Sequence, residues 1–361
     1  MHIGVDGREL LGRPTGVGRY LAEILGAWIG DPTWPHRLTI FVPSSPGDDL
    51  RARFPNVDWH VVASTSTGTR WEQMRLPRAI TRAGVDVFFA AGYTAPLRLA
   101  CPFVVAIYDV SFFAHPEWFG WREGLRRRWI TRSAARHARR VVTISEFSAR
   151  EIVRWIGIRR DAIAIAPPGA PPLVDDGDAG PREPIVLFVG SLFNRRRIPD
   201  LISAFAAAAG DVPNARLVLA GDNRTSPRID PRALASTTGV GDRVEWRAYV
   251  TDAELAELYG RARVFAFLSD YEGFAMTPME ALARGVAPAL LDTPVAREVY
   301  EGAAMFVPDD PAAIGAALRT LLIDDTARRR LVEAGRERLR AFSWRQAAAT
   351  IRTALEEAVR S

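Results

Sequence analysis

Glu272 and Glu280 are separated by seven residues in Asp270-Tyr271-Glu272-Gly273-Phe274-Ala275-Met276-Thr277-Pro278-Met279-Glu280. Two carboxylates so spaced can hold the hydroxyls of a polyhydroxylated ligand, and the backbone N–H groups between them can approach phosphate. Residues 264–268, Val-Phe-Ala-Phe-Leu, form an uninterrupted apolar run of strand length, the pattern of a strand buried on both faces. After Pro278, the residues Met279, Ala281, Leu282 and Ala283 favour a helix. Glu272 is therefore expected on a loop past the carboxyl end of a buried parallel strand, with Glu280 in the first helical turn. That is the crevice where open α/β sheets bind ligands. The spacing alone is a weak signal, because any acidic helix start can produce it.

The chain has no lysine, so all 47 of its basic residues are arginine. Schiff-base chemistry and lysine-containing phosphate loops are excluded. Any cation gripping a phosphate must be a guanidinium, whose planar fork suits the task. One candidate run is Gly190-Ser191-Leu192-Phe193-Asn194-Arg195-Arg196-Arg197-Ile198-Pro199, directly after an apolar strand. Two guanidiniums there can stabilise charge growing on a diphosphate leaving group. Which of Arg195, Arg196 and Arg197 turns inward stays open, and a solvated basic loop is the alternative. A second candidate is Gly12-Arg13-Pro14-Thr15-Gly16-Val17-Gly18-Arg19, between the first strand and the first helix, where Gly16 allows a phosphate to approach backbone N–H groups. It lacks the third glycine of a dinucleotide fingerprint, and a tight turn explains it as well. Asp109 is expected at a strand end, with His115 close behind it. Asp176-Gly177-Asp178 imitates a metal-binding D-x-D, but its place in a proline-rich stretch favours a linker. Histidines and the single cysteine are too scattered for zinc.

At 361 residues the chain exceeds the usual size of one core, so two domains are expected. Strands are expected at 1–6, 37–42, 57–62, 85–90, 103–108 and 140–144, with helices at 17–28 and 121–137 and a capped helix start at Ser145. This alternation argues for a parallel sheet covered by helices. Proline, glycine and acid crowd together over 166–184, as in an interdomain linker. The alternation restarts with strands at 185–190, 216–220, 244–247 and 264–268 and a helix at 200–208. The tail, 327–361, reads as helical with a break at 342–344. No run of about 18 apolar residues exists, so no membrane span is expected. The N-terminus does not read as a signal peptide, and a single cysteine suits the cytoplasm. The formal charge of +5 favours anionic partners without choosing among them. Residues 118–140 mix tryptophans with arginines. Two readings stay open, a helix lying on anionic lipid and a solvated helix face. No signature supports nucleic-acid binding.

The block Tyr271-Glu272-Gly273-Phe274 through Glu280, set between strand and helix, resembles the E-x7-E motif of retaining GT-B glycosyltransferases of the GT4 type. That motif usually runs Ser-x-Tyr-Glu-Gly-Phe-Gly-Leu-Pro-x-Leu-Glu-Ala. This chain departs at Ala275, Met276 and Thr277, where Gly-Leu-Pro is usual. Gly16-Val17-Gly18-Arg19-Tyr20 is similar to the family's first-domain loop. Arg195 and Arg196 match its Arg-Lys pair, and Tyr249-Val250 its Gly-Tyr-Val segment. Ala106 through Phe112 resembles a segment in which a histidine often stands where this chain has Tyr108.

The resemblance implies an α/β protein of GT-B fold, with two Rossmann-like domains facing each other across a deep cleft and a C-terminal helix crossing back to the first. The domains would be 1–168, a linker 169–184, 185–341 and the crossing helix 342–361, with Trp344 as its anchor or as plain core. It implies a metal-independent, retaining hexosyltransferase without a cofactor, using a GDP- or UDP-sugar as co-substrate and a glycan or lipid-linked acceptor. Polysaccharide assembly and mannosyl transfer are the family habits. Glu272 would lie near the sugar hydroxyls and Glu280 on the ribose. The N–H groups of Phe274, Ala275 and Met276 would hold sugar and phosphates, Arg195 and Arg196 the diphosphate, and Tyr249 and Val250 the base through their backbone. Gly16 would face the donor phosphate or the acceptor, Asp109 would face the cleft, and His115 would stand in for the family histidine near the reacting carbon, a plain surface histidine being the alternative. The family mechanism is front-face, with the leaving phosphate assisting acceptor deprotonation, so no dedicated base is required. A cytoplasmic protein, in peripheral contact with the inner membrane face under the lipid reading of the basic helix, is the expected location. A nucleotide-sugar-binding scaffold and a GT-B epimerase are the alternatives. A pyridoxal-dependent phosphorylase is excluded by the missing lysine.

Overall fold

The computed structural model describes residues 1–12, 15–64, 68–174 and 182–360. Arg13 and Pro14 of the glycine loop, and Asp176-Gly177-Asp178, lie outside them. The chain divides into two units, Met1–Gly169 with Ser343–Ser361, and Ala170–Phe342.

The first unit is built on a seven-stranded sheet. Its strands are β1 (His2–Asp6), β2 (Arg37–Val42), β3 (Asp58–Val61), β4 (Val87–Ala90), β5 (Phe103–Ala106), β6 (Arg140–Thr143) and β7 (Ile163–Ile165). They run in the order β3-β2-β1-β4-β5-β6-β7, and every pairing is parallel. The central strands are short and fully apolar because helices cover both faces, so no residue on them meets water. The last helix, Trp344–Arg360, completes this unit. Its Ala348 carbonyl accepts from Trp28 Nε1 at 2.9 Å, and Trp344 packs edge-on against Tyr20. Gly169 leaves room for that indole: a Cβ there would lie 2.5 Å from the Trp344 ring.

The second unit carries β8 (Glu183–Val189), β9 (Arg216–Ala220), β10 (Val244–Arg247), β11 (Ala262–Phe267), β12 (Ala287–Leu291) and β13 (Met305–Val307). The order is β10-β9-β8-β11-β12-β13, again all parallel. Both sheets therefore reverse their winding beside the first strand of the unit, between β1 and β4 and between β8 and β11. In doubly wound sheets this switch point opens a crevice at the carboxyl ends, because the two following loops diverge to opposite faces.

Three strands have no counterpart in the alternation traced from sequence. β7 is only three residues long. β12 contains Pro288, which lacks the N–H that a ladder needs and so argues locally against an interior strand. It is held between β11 and β13 nonetheless, and all five of its residues are buried. β13 is equally short. Asp109 needs a correction: β5 ends at Ala106, so Asp109 stands three residues past the strand rather than at its end. The first loop is not a bare tight turn either, because a 3-10 turn, Arg8–Leu10, intervenes before the helix Gly16–Ile29.

Candidate active site

The loops after β8 and β11 meet at the switch point of the second unit. The loop after β8 begins at Gly190, whose φ is +135° and whose added Cβ would lie 2.3 Å from Arg196 Nη1. Glycine there serves both the turn and the close passage of a guanidinium. A short turn, Asn194–Arg196, then carries two of the three arginines. Arg196 folds back under the loop and donates from Nη1 to the Ser191 carbonyl at 2.9 Å. Its guanidinium centre lies 5.1 Å from the Phe267 ring and 5.6 Å from the Phe193 ring. Arg195 rides over Phe193 at 4.5 Å.

Both arginines converge on Glu272. Arg196 Nε donates to Glu272 Oε1 at 3.2 Å, and Arg195 Nε lies 3.8 Å from the same oxygen. Ser269 Oγ donates to it at 2.9 Å. The side chains of Arg195, Arg196 and Glu272 are only 20%, 14% and 15% exposed, so their charges act with little screening. Burial pulls the Arg196 guanidinium below the ordinary arginine value, and Glu272 partly restores it. The two loops are joined through their backbones as well, Asp270 N donating to the Arg195 carbonyl at 2.9 Å. Arg197 faces elsewhere. It is held in the left-handed region (φ 51°) and pairs with Asp200, Asp270 and Asp309.

Past Glu272 the backbone turns sharply at Ala275, whose φ is 66°. The Ala275 carbonyl accepts from Tyr300 Oη, and burial raises that phenol well above its ordinary value, keeping it a donor. The helix Thr277–Ala283 follows, with Pro278 in its first turn. Beneath the loop lies an apolar pocket lined by Phe267, Phe274, Leu290, Val295 and Tyr300, with Glu272 and Ser269 at its polar side. Glu280, in the first turn of that helix, accepts from Tyr259 Oη at 3.2 Å. Tyr249 and Val250 follow the edge strand β10, and Tyr249 is 70% exposed. The position of Ala275 leads to a prediction. Ala275→Gly removes the cost of a left-handed alanine and should stabilise the second unit by about 1 kcal/mol, raising its melting temperature by about 2–4 °C. Differential scanning calorimetry checks this, and an unchanged or lowered transition contradicts it.

The remaining expected residues lie in the first unit and do not form one constellation. Gly16 opens the helix Gly16–Ile29, exposed, while Thr15 Oγ1 caps that helix by accepting from Gly18 N at 3.0 Å. The glycine with a steric reason is Gly18, where a Cβ would meet the Glu9 carbonyl at 2.1 Å. Asp109 accepts from Tyr93 Oη at 2.8 Å and from Ser111 N at 2.8 Å, so it orders the turn into the helix Ser111–Ala114. His115 stacks on Trp118 at 4.0 Å with Nδ1 3.1 Å from Glu117. Tyr108 is buried, and its hydroxyl donates to the Ala91 carbonyl at 2.7 Å. It is a core residue, enclosed by Tyr20 and Tyr93.

Sequence reasoning missed a second charged cluster, at the switch point of the first unit. Arg8 Nε donates to both oxygens of buried Asp6 at 3.0 Å, and Arg8 Nη2 donates to buried Glu72 at 2.6 Å. Glu72 sits in a π-helical turn, Trp71–Arg75, and also accepts from Thr94 and Gln73. Asp6-Gly7-Arg8 after a first strand was the only local hint; Glu72 is 64 residues from Arg8 and carried none.

Residues 174–338 match the family model described as glycosyl transferases group 1, and residues 14–172 match that of glycosyltransferase family 4. The chain is 26% identical over 279 residues to the O-antigen chain mannosyltransferase B of Escherichia coli, covering 72% of this chain and 71% of that one. It is 29% identical over 265 residues to the MMP alpha-(1->4)-mannosyltransferase of Mycolicibacterium hassiacum, covering 66% and 60%. Identity reaches 31% over 239 residues with the D-inositol 3-phosphate glycosyltransferase of Xylanimonas cellulosilytica, covering 58% and 55%. The match thus spans less than two thirds of the last two relatives. Among solved structures, sucrose-phosphate synthase from Thermosynechococcus elongatus superposes with a TM-score of 0.78 at 19% identity, covering 99% of this chain and 98% of that one. The Anabaena protein HepE in complex with UDP-glucose gives a TM-score of 0.77 at 17% identity, covering 99% and 100%. At such identities these two speak for the fold alone.

Proposed function

Because the chain belongs to the GT4-type glycosyltransferases of GT-B fold, we propose that it moves a hexose from a nucleoside-diphosphate donor to a glycan or lipid-linked acceptor with retention of configuration. The observation that carries this reading is the convergence of Arg195, Arg196 and Ser269 on Glu272 at the switch point of the second sheet. Two guanidiniums beside one carboxylate match the two ends of a sugar diphosphate, whose phosphates want cations and whose hydroxyls want an acceptor. In this reading Arg195 and Arg196 neutralise the diphosphate as the glycosidic bond breaks, with no metal required. Glu272 accepts from sugar hydroxyls, and Glu280, supported by Tyr259, from the ribose. The N–H groups of Phe274, Ala275 and Met276 add to the grip on sugar and phosphate. The backbone of Tyr249 and Val250 meets the base.

Two of the relatives above are named mannosyltransferases, which makes a mannosyl donor the first to try. A panel of GDP-mannose, UDP-glucose, UDP-galactose and UDP-N-acetylglucosamine tests the proposal. Turnover of one donor, with the anomeric configuration preserved in the product by NMR, is the expected result. A second reading, a nucleotide-sugar-binding scaffold, draws on Tyr108, whose hydroxyl is committed to Ala91 where the family often has a histidine. Binding of a donor without turnover would favour the scaffold and overturn the transferase. Release of free nucleotide and an epimerised sugar without acceptor would instead point to an epimerase.

A further inference from the structure

A third loop reaches the arginines of the second unit. Residues 221–229 follow β9, which lies beside β8 in the sheet. The backbones of the two loops are joined. Leu192 N donates to the Asp222 carbonyl at 2.8 Å, and Arg224 N donates to the Leu192 carbonyl at 3.0 Å. Gly221 permits this approach, since a Cβ there would lie 2.1 Å from the Gly190 carbonyl oxygen. Side chains tie the rest. Asn194 Nδ2 donates to the Ser226 carbonyl at 2.9 Å, while its Oδ1 accepts from Ser226 N at 2.8 Å. Asn223 Oδ1 accepts from Thr225 N and Oγ1 at 3.1 and 2.8 Å. Arg224 therefore stands on a fixed backbone, although its side chain is 61% exposed.

That backbone brings Arg224 to Phe193. Its guanidinium carbon lies 5.9 Å from the ring centroid, where those of Arg195 and Arg196 stand at 4.5 and 5.6 Å. The ring attracts each cation, but three like charges around one ring repel each other. Two carboxylates share the cluster, Glu272 with Arg195 and Arg196, and Asp222 with Arg224. Among these five groups one positive charge is in excess. Asp222 Oδ2 engages only Nε of Arg224 among the described residues, so both terminal nitrogens keep their donors. An exposed ion pair of this kind is weak enough to give way to a better anion.

We propose that Arg224 is a third cation of the diphosphate grip, and that Phe193 is the positioning residue that gathers Arg195, Arg196 and Arg224 from two loops onto one anion. The ligand is the diphosphate of a nucleoside diphosphate, so the inference rests on the donor reading of the Glu272 site. A ring holds guanidiniums without taking their N–H donors, which a carboxylate in its place would occupy.

Isothermal calorimetry with UDP and GDP tests it. Arg224→Gln should weaken the nucleotide that the wild type binds by about tenfold, the worth of one charge-assisted hydrogen bond. Its thermal transition should be unchanged, because the side chain is exposed. Arg224→Lys should recover most of the loss by restoring the charge. Phe193→Leu keeps apolar bulk but removes the ring face, and should weaken binding by about three- to tenfold, with Phe193→Tyr close to wild type. A side chain that merely filled space would be replaced by leucine as well as by tyrosine. Wild-type affinity in Arg224→Gln overturns the role of Arg224 and leaves the donor reading standing. Wild-type affinity in Phe193→Leu overturns the role of the ring. Failure of the wild type to bind either nucleotide overturns the donor reading and this inference together.

Discussion

Glu272→Gln is expected to lower sugar transfer by roughly two to three orders of magnitude, about 3–4 kcal/mol of transition-state stabilisation, while the protein stays folded. Glutamine keeps the shape and can still accept from Ser269 Oγ and Arg196 Nε, which bond to Glu272 at 2.9 and 3.2 Å. What it removes is the negative charge that orients two guanidiniums and accepts strongly from sugar hydroxyls. Hydrogen bonds to a charged partner are roughly twice as strong as neutral ones, and in this half-buried loop the difference is poorly screened. The loss should fall on kcat more than on KM if Glu272 grips the sugar harder as the bond to phosphate breaks. Steady-state kinetics together with a thermal melt decide it. Normal turnover in a folded Gln variant would remove Glu272 from the mechanism.

The second large effect concerns the diphosphate. Arg196→Ala should weaken nucleoside-diphosphate binding by about 10- to 100-fold, the worth of one or two charge-assisted hydrogen bonds. It should also lower the melting temperature, because the guanidinium leaves a gap between Phe193 and Phe267 and leaves Glu272, among the described residues, with only the more distant Arg195 as its cationic partner. Arg197→Gly is the informative control. Arg197 is occupied by Asp200, Asp270 and Asp309, and glycine accepts its left-handed φ of 51°, so diphosphate affinity should change far less. Isothermal calorimetry with UDP and GDP measures both variants. Equal affinity of Arg196→Ala and wild type would refute the phosphate role.

Much of this molecule is local in origin. The runs at 37–42 and 216–220 become β2 and β9 with the bounds the residues suggest, because after one exposed arginine each is buried throughout, as interior strands of a covered sheet must be, and 244–247 becomes the half-buried edge strand β10. The helix Trp121–His137 begins after Gly120 and ends where Ala138 turns extended, as its composition indicates. Tyr271 through Glu280 announces a loop and a helix start by its own residues, and the family likeness announces the fold. Where local signals conflict with packing, sequence reading stops: Pro288 speaks against a strand, and its neighbours on both sides impose one.

The site shows the same division. Sequence by itself determined that a carboxylate follows one buried strand and that three consecutive arginines follow another. Only the tertiary structure decided that these loops meet, since β8 and β11 become neighbours through a crossover that sets Arg196 and Glu272, 76 residues apart, in hydrogen-bond contact. It also gave Arg197 two partners that no local pattern connects to it, Asp270 and Asp309, the second more than a hundred residues away, beside its near neighbour Asp200.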